Sequence, residues 1–467
     1  MSATATQTVL EQPSSSYQPD DLAKNTFEAH ESINLGRISS HASQARSHHD
    51  DNSIHSSLPP PSTAVSELER WNSPKSNMYA LFGTYLSFLV LGMNDASPGP
   101  LIPYMERYYN LSYTVVSLIF LSPVLGYSLA ASLNNRIHRK FGQRGIAFIA
   151  GSCHFIAYLT ISLHPPWPVI VIIFIFAGFG NGLSDAAWCA WTGNMASANK
   201  VQGFLQSFYS LGATISPLIA TTMVTKAGLQ WYVWFYVMTA TAALETVLCT
   251  WAFWHKTGAK YRADNPIIGE QTSKSTTWAA INNRVTLTCA LFFLTYVGSE
   301  VALGGWVVTF MLRVRKGSAY ASGISGTGFW AGMTAGRAIL GFITERYGER
   351  LCVTVYLALA LGLELIFWLV PSFIASAIAV AFLGFFFGPI FPAGVVMCAK
   401  LLPKHLHVSA LGAATAIAGV GGSGVPFAVG AIAQAKGVWV LQPIVMACLV
   451  VVSLLWLSLP RVKKRNV

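Results

Sequence analysis

Charge is what this chain has least of. Only 10% of its 467 residues are charged, whereas 53% are hydrophobic. A soluble domain carries about 25% charge, so a water-soluble globule is excluded for most of the length. Acids are scarcest, with 19 in all and nine of them before residue 77. The seven cysteines stand singly, with no CxxC pair and no Cys/His cluster. That excludes a zinc site or a disulfide framework by spacing and leaves them as small apolar packing residues. No Walker-type glycine loop occurs, which argues against ATP-driven work. Neither nucleophile–base nor metal-ligand spacing stands out in the apolar region, so an enzyme is not expected, and no cofactor or metal. The first apolar run begins near Tyr79, so a cleavable signal peptide does not account for the hydrophobicity.

The net charge of +11 raises the question of nucleic acid, and its distribution answers it. Residues 1–76 carry a net charge of −4, and the remainder about +15, spread over short segments between apolar runs. That is the footprint of membrane topology, and no nucleic-acid partner is expected. The tail 1–76 is rich in Ser, His, Gln and Pro and has no apolar periodicity, so we read it as disordered. Its five histidines offer metal binding or pH sensing, against the plainer reading of a solvated tail.

What is present is apolar length. Crossing a bilayer takes about 20 apolar residues in a helix. Twelve such runs occur, near 79–101, 114–133, 145–163, 168–190, 204–224, 232–254, 286–311, 321–343, 351–371, 374–398, 408–433 and 438–459. The sequence therefore predicts an all-α membrane protein of twelve transmembrane helices in two six-helix bundles, 77–254 and 286–459. A linker at 255–285 joins them, and a basic tail closes the chain at 460–467. With the N-terminus placed in the cytoplasm, the cytoplasmic loops and C-tail hold 18 Lys and Arg against six on the other side. Both termini are accordingly expected inside. Asn110-Leu111-Ser112 is a glycosylation sequon on the outer side, in a loop short enough to hug the membrane.

Two stretches 206 residues apart repeat one pattern. Gly126 runs on to Arg139-Lys140-Phe141-Gly142-Gln143-Arg144, and Gly332 runs on to Glu345-Arg346-Tyr347-Gly348-Glu349-Arg350. The shift superposes both glycines of the first copy on glycines of the second, and a duplicated membrane half is its simplest cause. It also sorts the five acids inside spans, which are Asp95, Asp185, Glu245, Glu300 and Glu364. Each costs at least ~2.5 kcal/mol to insert, so each needs a reason. Asn94 maps onto Glu300, which sets polar groups at equivalent depths in spans 1 and 7. Arg337 is the one basic residue well inside a span, and Glu300 or Glu345 is its expected partner. Pro98, Gly99, Pro100 and Pro103 should bend span 1. Gly178, Gly180 and Gly182 in span 4 face Gly384, Gly388, Pro389 and Pro392 in span 10 across the shift, and paired breaks of this kind point to a midplane binding site.

These residues resemble the major facilitator superfamily from about 77 to 460. Gly341, Glu345, Arg346, Gly348 and Arg350 match its cytoplasmic loop motif. The first copy departs from that motif, with Asn135 in place of its leading glycine and Arg139 at its acidic position. Gly92-Met93-Asn94-Asp95, Gly298-Ser299-Glu300, Gly304-Gly305-Trp306, Gly336-Arg337 and Gly388-Pro389-Ile390-Phe391-Pro392 are similar to fungal members near the fucose/glucose–proton symporter group. The resemblance implies a major facilitator fold whose spans 1, 4, 7 and 10 line a central cavity. It implies a secondary carrier of a small organic solute, with protons as the coupling partner. Asp95, Glu300 and Asp185 then become proton-coupling candidates. Asn94, Asn181, Trp306 and Arg337 become candidates for substrate binding, with packing or gating the competing role for Arg337. Arg139, Lys140, Gly142 and Arg144, with Gly341, Glu345, Arg346, Gly348 and Arg350, become gating loops. Export of a metabolite and a non-transporting nutrient receptor are the alternatives. A functional monomer in the plasma membrane, with the lipid bilayer as its other partner, completes the expectation.

Overall fold

The computed structural model describes residues 69–196, 198–264, 283–402 and 407–460. Expectations for 1–68, 265–282 and 461–467 lie outside the described residues. Apart from two isolated bridges, the regular structure among the described residues is helical. Fourteen of the fifteen α-helices among the described residues make twelve crossings. Span 1 is α1 (Lys75–Ala96) with α2 (Pro98–Tyr109), and spans 2 and 3 are α3 (Tyr113–Val116) with the long α4 (Leu118–Ser162). Then come α5 (Trp167–Gly193), α6 (Ala198–Thr225), α7 (Val233–Ala252) and a short linker helix, α8 (Gly258–Asp264). The second half holds α9 (Arg284–Arg313), α10 (Ala319–Tyr347) and α11 (Glu349–Leu369). Span 10 is α12 (Phe373–Phe387) with α13 (Ile390–Leu401), followed by α14 (His407–Lys436) and α15 (Leu441–Ser458).

Each departure from a plain rod has a local cause. Span 1 breaks at Ser97 because Pro98 and Pro100 follow and supply no backbone N–H. Span 10 breaks at Gly388-Pro389 for the same reason. The break anticipated in span 4 does not form, and α5 is continuous through Gly178, Gly180 and Gly182. Glycine permits a bend but leaves the hydrogen-bond ladder intact, whereas proline removes a rung. Inside α4 the turn between spans 2 and 3 is made by Gly142, at φ 72° and ψ −170°, a backbone state that favours glycine.

The glycines of α5 serve packing instead, and the duplication reappears in what they touch. A Cβ on Gly126 would strike the carbonyl of Ile175, and one on Gly332 the carbonyl of Ala381. A Cβ on Gly178 would meet the Pro123 carbonyl, and one on Gly384 that of Phe329. All four contacts obey the 206-residue shift, so α4 against α5 and α10 against α12 are one small-residue interface used twice.

Eight helical stretches are apolar and long enough to cross a membrane by composition, one of them holding spans 2 and 3. Spans 1, 5 and 8 are not among them. Their polar residues, including Asn94, Asp95, Tyr209, Ser210, Thr334 and Arg337, gather at the centre of the molecule, so the shortfall in hydropathy marks the helices that line the interior.

The start of α1 and the end of α15 lie at one end of the bundle, here called the near end. The halves close on each other at the opposite, far end. Glu106 pairs with Arg313 at 3.5 Å, the Tyr113 N–H donates to Gln434 at 2.8 Å, and the Lys226 ammonium sits 4.1 Å from the Tyr320 ring centroid. Gly99 packs on the Gly304 carbonyl, and Gly430 on Ser117 and Trp306. One apolar cluster, including Leu101, Trp231, Trp306 and Phe310, runs through both halves here, while a second, around Trp188 and Phe253, belongs to the near part of the first half.

Candidate functional site

Asp95 ends the first segment of span 1, just before the break, and collects three donors. Its Oδ1 accepts from the Asn94 amide at 3.0 Å and the Asn181 amide at 3.3 Å, and its Oδ2 accepts from the Tyr209 hydroxyl at 2.9 Å. Span 4 thus supplies Asn181 and span 5 supplies Tyr209. None of these donors is a cation, so the carboxylate is solvated by neutral dipoles rather than neutralised.

The second half answers with an ion pair. Arg337 on α10 donates to Glu300 on α9 at 3.4 Å, with both side chains below 10% exposure. Of the two acids that sequence offered Arg337, Glu300 is the one it meets. The guanidinium also donates to the Gly388 carbonyl at 3.4 Å, where the break of span 10 frees it, and to the Ser210 hydroxyl of α6. Its carbon lies 5.9 Å from the ring centroid of Tyr209. A buried pair is costly to desolvate and is sustained by such extra hydrogen bonds.

Tyr209 and Ser210 are therefore the hinge of the arrangement. One holds Asp95 of the first half and the other holds Arg337 of the second, from adjacent positions on α6. A turn further on, Thr214 meets Thr334 of α10 at 3.0 Å. Neither Tyr209 nor Ser210 was a candidate from sequence. The available signal was the polar run Gln206-Ser207-Phe208-Tyr209-Ser210 inside a span otherwise fit for lipid.

Asp185, Trp306 and the remaining acids inside spans sit at different distances from this centre. Asp185 is one helical turn from Asn181 on the same face of α5, toward the near end, and is exposed. Trp306 is fully buried at the far-end closure, between Tyr113 and Phe120, with its indole N–H donating to the Pro426 carbonyl. Glu245 is buried in the first half, where it accepts from Ser87 at 2.6 Å and meets His154 at 2.9 Å. Glu364 is buried with neither carboxyl oxygen hydrogen-bonded among the described residues.

Among the loop residues, Arg262 of α8 donates to the Arg139 carbonyl, and Arg144 donates to the Trp254 carbonyl at 3.5 Å. Gly142 is seated against Thr257. In the second half Arg350 donates to the carbonyls of Leu459 at 2.8 Å and Leu457 at 3.2 Å. Gly341, Glu345 and Arg346 are exposed, and Gly348 turns the chain at φ 91°. Asn110 is exposed in a left-handed cap of α2, while Ser112 of its sequon caps α3 by accepting from Val115. No group of three or more His, Cys, Asp and Glu side chains is placed to hold a metal ion among the described residues. All seven cysteines are free.

Two pseudo-equivalent helical halves, closed at one end around a charged midplane, define a membrane transporter of the alternating two-bundle type. The family model of the Major Facilitator Superfamily matches residues 84–423 and 306–467, and the chain belongs to that superfamily. It is 27% identical to Bypass of stop codon protein 6 of Saccharomyces cerevisiae, over 94% of this chain and 95% of that protein. The Glucose/mannose transporter GlcP of Bacillus subtilis is 20% identical over 75% of this chain and 86% of its own. The Glucose/galactose transporter of Brucella abortus is 26% identical over 80% and 93%. Among solved structures, the D-xylose-proton symporter matches with a TM-score of 0.68 at 14% identity, over 84% of this chain and 99% of that one. FucP in the outward conformation matches at 0.57 and 16% identity, over 81% and 97%. These structural likenesses carry the fold alone. The protein is thus an integral, multi-pass membrane transporter related to sugar transporters.

Proposed function

We propose that this chain moves a small, sugar-like solute together with protons, by rocking its two halves about the midplane. The observation that carries the reading is the single polar circuit in which Tyr209 and Ser210 tie the Asp95 carboxylate to the Glu300–Arg337 pair. A proton on Asp95 ends its need for three donors and releases Asn181 and Tyr209 to bind a hydroxylated solute. Loss of the proton draws both donors back to the carboxylate. Protonation of Asp95 and solute occupancy therefore reinforce each other through the same two donors, which is the positive coupling that joint movement of solute and proton requires. Relatives named as glucose, mannose and galactose transporters support the choice of solute class.

Asp95, Glu300 and Asp185 carry the proton side of this proposal, and Asn94, Asn181 and Arg337 the solute side. In this reading the near end, which holds the described parts of both termini, faces the cytoplasm, and the closure at the far end separates the midplane site from the outside. The positive charge of the near-end loops supports that orientation. The plasma membrane is the proposed site and a monomer the proposed working unit.

The test is solute flux in proteoliposomes with and without an imposed proton gradient, using hexoses as the first probes. Gradient-driven accumulation is expected in the parent protein. In Asp95→Asn it should vanish while downhill exchange persists. Equal flux with and without the gradient would overturn the coupling. Binding of solute with no flux in either direction would make the protein a receptor, and outward flux driven by the gradient would make it an exporter.

A further inference from the structure

The near end of the first half carries a cavity of about 440 Å³ on its outer surface, between spans 3 and 6. Lys140 and Arg144 rim it on one side, and Phe141, Phe148, Thr250 and Trp254 form its walls. Phe148 and Trp254 are each 54% exposed, so the walls open outward toward where the lipid lies. The cavity is apart from the midplane circuit, and its cationic rim belongs to the first of the two candidate gating loops.

The two cations are underemployed. Neither forms an ion pair with an acid among the described residues. Lys140 lies 5.1 Å from the Phe141 ring centroid and Arg144 4.9 Å from that of Trp254. Arg144 spends one long hydrogen bond, 3.5 Å, on the Trp254 carbonyl. A guanidinium has five donors in a planar fork, so most remain to be satisfied. The duplicated half provides the control. Arg350 is the equivalent of Arg144 across the 206-residue shift, and it is tied to two carbonyls at the end of α15. The second half also has Glu345 where the first has Arg139, so the first copy alone is purely cationic from Arg136 to Arg144.

We propose that this cavity binds the headgroup of an anionic phospholipid, with its phosphate held by Lys140 and Arg144 and its acyl chains lying along Phe148 and Trp254. Three features favour this occupant together. The rim is positive and forms no ion pair among the described residues, the walls are aromatic, and the site lies at the near end of spans 3 and 6, where the apolar stretches give way to charged segments. A guanidinium fork matches a phosphate in two-point geometry, and aromatic residues belong at headgroup depth. The turn at Gly142 lies between the two cations and rests on Thr257 at the head of α8. The lipid would therefore brace the loop between spans 2 and 3 against the linker helix.

The test is lipid binding by the purified full-length protein, delipidated and then titrated with phosphatidylinositol or phosphatidylglycerol in mixed micelles. Retention is read by native mass spectrometry, with phosphatidylcholine as the neutral arm. One anionic lipid is expected to bind in preference to phosphatidylcholine. Removing both cations in Lys140→Gln/Arg144→Gln should weaken it by ~30-fold, the effect of two juxtamembrane cations near a charged surface. Lys436→Gln, at the far end, should bind as the parent does. If the double variant does not fold, Lys140→Gln alone, on an exposed side chain, should still weaken binding by ~5-fold. Equal retention of neutral and anionic lipid overturns the proposal. So does unchanged binding in the variants, or displacement of the lipid by millimolar inorganic phosphate, which would mark a free anion as the occupant.

Discussion

Asp95 and Glu300 are both carboxylates inside the membrane, yet their surroundings give them different work. Asp95 is surrounded by neutral donors, and its charge is balanced only by dipoles. Glu300 faces a fixed cation. The ion pair yields a sharp expectation. Breaking one partner leaves an uncompensated buried charge, so Glu300→Gln or Arg337→Gln alone should cost about 3–5 kcal/mol of stability. Removing both should cost less than the two single losses added together. A double-mutant cycle on thermal unfolding in detergent measures that coupling, and simple additivity would show the pair to be energetically idle. The identity of these acids was legible because acids inside spans are so few. Arg337 was legible as the partner of Glu300, but the residues that tie the two sites together were not, since Tyr209 and Ser210 are ordinary residues until folding brings α6 between the halves.

At the scale of helices, proline and glycine divide the labour. Proline breaks spans 1 and 10 next to Asp95 and Arg337, and one freed carbonyl, that of Gly388, accepts a hydrogen bond from Arg337. Glycine sets helix spacing, as the paired contacts of Gly126 and Gly332 illustrate. Gly332→Ala should therefore lower the melting temperature, because the added methyl meets a backbone carbonyl and overpacking costs about 1–3 kcal/mol. Gly362→Ala is the matched control, at a position in α11 where a Cβ meets nothing within 4 Å. It should leave the melting temperature unchanged or slightly raised, since alanine is the better helix former. Equal losses at both sites would refute the close-packing account. The break expected in span 4 marks the limit of reading elements from composition. Its glycines matched those of span 10, but the proline did not.

At the largest scale, the two helical halves of the described residues close on each other at the far end and meet across the midplane. Closure depends on backbone contact between Gly99 of α2 and Gly304 of α9, with Glu106–Arg313 and Lys226–Tyr320 around it. Gly99→Val should wedge that end apart and hold the carrier in the opposite state. The expected outcome is a loss of transport of about 10-fold or more with solute binding kept, since a population shift that large needs only ~1.4 kcal/mol. A spin-label distance across the far end that stays short in the variant would contradict it. Exposed ion pairs there contribute less, so Arg313→Gln should change the balance of states only modestly.

Sequence alone determined that the chain lies in a membrane, because 53% hydrophobic content in twelve runs leaves no other way to satisfy so many apolar helices. It also determined the duplication, since the 206-residue shift is written in glycines whose lack of a side chain is itself the structural requirement. Only the tertiary structure decided which residues form the polar circuit. Helical periodicity gives the face of a residue within one helix but not the helix it will meet. The Glu300–Arg337 pair was expected from the scarcity of charge inside spans, but nothing in the sequence relates it to Asp95 through Tyr209 and Ser210 until α6 packs between the halves.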